Sequence, residues 1–136
     1  MKKIISLALV FTFCLLALIS CAKIEKDPMD LVKNLRKNGY SISMTVDEES
    51  IEDTIDDMDF EIDEEKIICI IEATDEDEEY GTFIYCKNKK TAKDLMTELE
   101  DLMSDDDYED YFEDYTLVKK GKAVYFGTEG LLKDAK

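Results

Sequence analysis

The chain has no histidine and no tryptophan, and only one proline, one arginine and five glycines among its 136 residues. Without imidazole there is no Ser-His-Asp or Cys-His triad, no His proton relay and no metal site that needs a histidine ligand. Five glycines leave little from which to build a phosphate cradle, and neither G-x-x-x-x-G-K nor G-x-G-x-x-G occurs. Basic residues are also scarce: 17 face 34 acids, for a net charge of −17. Such a chain repels phosphates, which excludes nucleic acid as a partner. The length fits one domain rather than two.

What is present starts with a positive Met1-Lys2-Lys3 and an apolar run from Ile4 to Ile19, broken only by Ser6 and Thr12. These are the n-region and h-region of a secretory signal. Sixteen helical residues would span roughly 24 Å, short of the ~30 Å hydrocarbon core, so the run reads as a signal and not as a permanent span. Leu18-Ile19-Ser20-Cys21 follows. This segment resembles the lipobox of bacterial lipoproteins, and the resemblance covers residues 1–21. It implies a diacylglyceryl group on the Cys21 sulfur and cleavage before Cys21, with Cys14 discarded in the signal. Two acyl chains hold a protein on a membrane where one is marginal. The expected organisation is a signal over 1–20, the lipidated Cys and a short tether over 21–27, and a single domain over 28–136. The expected location is the extracytoplasmic face of the cell membrane, lipid-anchored. Ala22 to Asp27 reach at most ~20 Å when extended, so the domain sits close to the lipid.

Acids are clustered. Residues 47–65 hold twelve and no base, 72–79 hold six, and 98–114 hold ten, together 28 of the 34. Bases gather at Lys87, Lys89, Lys90 and Lys93, at Lys119, Lys120 and Lys122, and at Lys33, Arg36 and Lys37. The apolar run Ile67-Ile68-Cys69-Ile70-Ile71, with the Phe and Tyr supply, argues for a folded core despite self-repulsion. The acids read as a solvated face; their functional reading is attraction of cationic ligands.

Asp27-Pro28 opens a helix with an apolar stripe of Leu31, Val32 and Leu35, closed by Asn38-Gly39. Tyr40 to Val46 alternates as a half-buried strand. A short acidic helix over 48–58 carries Ile51, Ile55 and Met58, with Phe60 and Ile62 packed beneath the next loop. Residues 66–73 are a central strand and 80–86 its returning partner. Thr91-Ala92-Lys93-Asp94 reads as a capping box for a helix with Leu95, Leu99 and Leu102 on one face. Ser104 to Asp107 then cap a turn bearing Tyr108, Tyr111, Phe112 and Tyr115. A hairpin turns at Lys120-Gly121, and Thr128 caps a last helix. The predicted fold is α+β: a ferredoxin-like βαββαβ core with an extra C-terminal strand and helix, and helices on one face of a mainly antiparallel sheet.

Cys69 and Cys86 should lie on the same face of the hairpin, either as two buried thiols, the preferred reading, or as a disulfide. No catalytic residue, metal or cofactor is assigned. Asp105 to Asp110 is rich in hard oxygens, but the sixth position of an EF-hand loop falls on Asp110 or Tyr111 rather than Gly. Tyr108, Tyr111, Phe112 and Tyr115 have the spacing of a core-facing turn; the alternative is a stacking surface for a peptide or glycan. The expectation is a membrane-anchored envelope lipoprotein acting as a non-catalytic binding or interaction module for a protein, peptide or glycan. The alternatives are a carboxylate-dependent envelope hydrolase and a weak divalent-cation-binding module.

Overall fold

In the computed structural model, residues 27–136 are described; the expected signal over 1–20, Cys21 and most of the expected tether lie outside them. Helix α1 (Pro28–Lys37) starts with Pro at its first turn and carries Arg36 and Lys37 in its last, where the helix dipole favours positive charge. It buries Leu31, Val32 and Leu35. Strand β1 (Ser41–Thr45) and helix α2 (Glu48–Asp57) follow. Asp47 caps α2 by accepting from Ser50 N–H at 2.9 Å. That bond holds the Asp47 carboxyl below its ordinary pKa.

A 3₁₀ turn (Glu64–Lys66) leads into β2 (Ile67–Thr74), and β3 (Tyr80–Cys86) returns beside it. Helix α3 (Lys89–Met103) is next. Its cap is Asn88, which accepts from both the N–H and the hydroxyl of Thr91. The helix therefore starts earlier than a capping box at Thr91 would place it. Helix α4 (Glu109–Phe112) is a single turn, and β4 (Tyr115–Lys120) pairs with β5 (Ala123–Thr128) across Gly121, whose φ of +58° is the left-handed value such a turn needs. Helix α5 (Glu129–Asp134) ends the chain.

The five strands form one sheet in the order β1-β2-β3-β5-β4, every pair antiparallel. The α+β class and the antiparallel sheet thus hold. The split βαβ arrangement would place β1 beside β3 and parallel to it; here β2 lies between them. The reason is local. β1 and β2 are antiparallel neighbours, so α2 only has to return the chain to the end it left and no crossover is needed.

Helices cover both faces of the sheet, not one. On the first face, α1 and α5 pack Leu31, Leu35 and Leu131 onto Ile71, Phe83 and Tyr125. On the second, α2 and α3 pack Ile51, Leu95 and Leu99 onto Ile70, Ile84 and Val124. This explains why β2, β3 and β5 are almost wholly apolar: they are buried on both sides.

The hairpin of β2 and β3 carries one irregularity. Ala73 pairs with Gly81 and Cys69 with Tyr85, but Ile67 pairs with Cys86. Ile68 is the extra residue of a β-bulge, which reverses the face of everything before it. The bulge turns Ile67 into the second core; Cys69, opposite Tyr85, lies in the first core, and Cys86 follows Ile84 into the second. The expected shared face is corrected by the register: it needs Cys69 opposite Ile84 or Cys86, and Cys69 sits opposite Tyr85. Both are buried free thiols.

Candidate functional site

The aromatic residues gather where β3, β4 and β5 meet α4, on the α3 side of the sheet. Tyr80 opens β3 and Tyr115 opens β4, and their rings stack at 5.9 Å. Phe112 on α4 meets Tyr115 at 5.7 Å and Phe126 of β5 at 6.4 Å, both edge-on. Tyr111 completes the cluster, 4.9 Å from Phe112 and 6.1 Å from Tyr115, again edge-on. These are the offsets and tilts that aromatic quadrupoles favour.

The inner part of the cluster is held by polar groups. Thr82, fully buried, donates its hydroxyl to the Tyr80 oxygen at 2.9 Å. Tyr80 in turn donates to the Glu72 carboxylate at 3.2 Å, across the β2–β3 pair. Burial, with Glu72 nearby, pushes the Tyr80 phenol up to about 12. Burial and the neighbouring Tyr111 raise Tyr115 as well. Tyr80 is therefore a fixed neutral donor at neutral pH.

The outer part is open. Tyr111 is 68% exposed and Tyr108 47% exposed, whereas Phe112 and Tyr115 are half-buried. The helical spacing thus places one half of this segment in the core and the other half in solvent. A core reading is corrected for Tyr108 and Tyr111. Both stand in the acidic stretch Asp105 to Asp114, where Asp105 accepts from Asp107 N–H at 2.9 Å to shape the turn. Flat aromatic faces beside carboxylates suit stacking and attract cations.

A second polar knot closes the same end of the sheet. Asp75 accepts from the N–H groups of Asp77 and Glu79, both at 2.9 Å, and sets the β2–β3 turn. The Glu79 carboxylate then accepts from the Thr128 hydroxyl and from Leu131 N–H. Thr128 was expected to cap α5 itself; Glu79, from a turn far away in sequence, does so instead. No local sequence signal marks this.

A shallow groove of about 410 Å³, lined by Asp30, Lys33, Asn34 and Lys37, lies on the outer surface of α1. It is open to solvent and gives no water-excluded setting for acid–base chemistry. Among the described residues, no group of three His, Cys, Asp or Glu side chains is placed to hold a metal ion. No helix among them is long and apolar enough to cross a membrane. Cys21 lies outside the described residues. Comparison with known proteins finds no matching family, no matching curated protein and no matching solved structure.

Proposed function

We propose that the chain is a membrane-anchored envelope lipoprotein whose domain is a non-catalytic binding module, and that Tyr108 and Tyr111 with the acids beside them form its binding face. The observation that carries this reading is Tyr111, which is mostly exposed yet fixed by edge-on contacts with two other rings. A large aromatic surface held in place and left uncovered binds at low entropic cost. The surrounding carboxylates favour a cationic peptide or protein segment over a neutral glycan.

Two experiments separate the parts of this proposal. In cells, Cys21→Ser should abolish labelling by a fatty-acid analogue and release the domain or leave a precursor; continued lipidation at the same cleavage site defeats the anchor. In vitro, a lysine-rich peptide should perturb the ring resonances of Tyr108 and Tyr111, and a cell-wall glycan fragment should perturb them less. The Tyr111→Ala variant should lose the Tyr108 response while its backbone amide spectrum stays that of the folded domain. Unmoved ring signals with both probes defeat the binding face.

A further inference from the structure

The lysines converge on the end of the sheet opposite to the aromatic cluster. Lys87 N–H donates to the Lys66 carbonyl and Cys86 N–H to the Lys122 carbonyl, both at 2.8 Å. These bonds bring together the start of β2, the end of β3 and the start of β5. The β4–β5 turn adds Lys119 and Lys120, since Lys120 pairs with Ala123. The first turn of α3 adds Lys89 and Lys90. Residues 81–93 and 115–128, which supply most of these lysines, contain no acid.

Apolar side chains are uncovered at the same end. Val46, just beyond the Thr45–Ile70 pair that ends β1, is 61% exposed, and the bulge residue Ile68 is 49% exposed. Met29, in the first turn of α1, is also exposed. That helix enters here. Its last turn lies at the far end, where the Asn38 side chain reaches the Asp134 carbonyl. At its start, the Asp27 charge acts on Cys69 and Tyr85, a cross-strand pair close to Ile67 and Cys86. The tether from Cys21 therefore joins the domain at its lysine end.

We propose that this lysine end, with Val46, Ile68 and Met29 as its apolar contacts, docks on an anionic lipid bilayer and holds the aromatic end away from it. The proposal rests on the anchored reading above. A short tether leaves the domain within reach of the headgroups, where lysines are attracted and acids repelled. Screening confines both effects to ~8–10 Å. The acids of the β2–β3 turn and of residues 105–114 lie beyond that range, because the fifteen residues of α3 span roughly 22 Å. Acids share the lysine end too: Asp27 and Asp30 at the start of α1, Asp94 paired with Lys90 at 2.9 Å, and the larger group, Asp47 to Glu49 and Asp63 to Glu65, in the β1–β2 connection. The β1–β2 group, six acids on one side, tilts the domain so that the acid-free β4–β5 turn lies nearest the lipid.

The test uses residues 21–136 with Cys21 joined chemically to a maleimide lipid; both cores lie wholly within residues 31–135. The tethered protein is placed on phosphatidylcholine vesicles with or without phosphatidylglycerol, and lysine acylation rates are read by mass spectrometry. Lys87, Lys119 and Lys122 should react several-fold more slowly on the anionic vesicles, with Lys37 and Lys133 unchanged. The Lys119→Glu, Lys122→Glu double variant should lose the protection of Lys87. Equal rates on the two lipids, or stronger protection of Lys37 and Lys133, overturn the proposal. So does equal protection by soluble polyphosphate, which would assign the face to a polyanion in solution. The chemical tether makes this result independent of cellular processing, so it stands apart from the Cys21→Ser experiment.

Discussion

Cys69 and Cys86 should behave as two separate, unreactive thiols. Burial pushes Cys69 up to about 11 and Cys86 up to about 12, from an ordinary value of 9.0. At about pH 8 the thiolate fractions are then about 10⁻³ and 10⁻⁴, against about 10⁻¹ for an open thiol. The thiolate is the nucleophile, so alkylation should be about 100-fold slow at Cys69 and about 1000-fold slow at Cys86 before access is counted. Access slows both further, because each sits in a packed core and needs a local opening. Unlipidated residues 21–136 carry their own fast control in Cys21. A time course of iodoacetamide labelling, read by mass spectrometry, should show Cys21 modified first, then Cys69, then Cys86. Alkylation of Cys86 as fast as Cys21, or a peptide linking residues 69 and 86, refutes the reasoning. The same shifts set a pH dependence. Both folded values exceed the unfolded one, so the unfolded chain loses its protons first as pH rises. Stability is full below about pH 9 and falls through 11 to 12, by about 1.4 kcal/mol per pH unit for each thiol. Tyr80 adds the same sign between about 10 and about 12. The urea midpoint should drop between neutral and strongly alkaline pH; a flat or rising midpoint contradicts the assigned cause.

Gly127→Ala would place a Cβ 2.5 Å from the Tyr80 carbonyl oxygen and 2.7 Å from Gly81 Cα, both backbone. It should cost about 1–3 kcal/mol in urea unfolding, and an unchanged midpoint would contradict the close approach of β3 and β5. Glu79→Ala removes the acceptor shared by Thr128 and Leu131 and should cost about 1–2 kcal/mol, with faster amide exchange confined to α5. The melting temperature of residues 21–136 should rise between dilute buffer and about 1 M sodium chloride as the acidic blocks are screened; no rise would mean that the fold already compensates them.

The local elements were legible because each rests on neighbouring residues. Strand β3 falls on its expected 80–86, and α1, β1, α2 and β2 lie within two residues of their expected bounds. The apolar run 67–71 announced a strand buried on both sides. It was also compatible with a split βαβ core, because element order alone does not fix strand neighbours. The bulge at Ile68 was invisible for a related reason: an extra Ile in a row of Ile leaves no break in the pattern. The alternation of Ile42, Met44 and Val46 was legible, but not that the outer end of their face stays uncovered. The tyrosines followed the same limit. Helical spacing places Tyr108, Tyr111 and Tyr115 on one side of a turn, yet a single-turn helix at the rim cannot press all of them into the core.

The separation of charge between the two ends follows from chain topology acting on a sequence that alternates. In an all-antiparallel sheet, each strand carries the chain to the opposite end. The acids of 75–79 follow β2 and fall at one end. The lysines of 87–90 follow β3 and fall at the other. Helix α3 then carries the chain back, so the acids of 105–114 join the first group, and β4 delivers Lys119, Lys120 and Lys122 to the second. Alternating acidic and basic segments thus become two opposed poles with no ion pairs required between them. The segment 47–65 shows the rule by departing from it. It joins the end of β1 to the start of β2, so it begins and ends at the lysine pole and brings its acids with it. The lysine pole is therefore lopsided, basic under β3, β5 and β4 and acidic beside β1. That asymmetry is why a docked domain should tilt, and why Lys119 and Lys122, rather than Lys66, should show the strongest lipid protection.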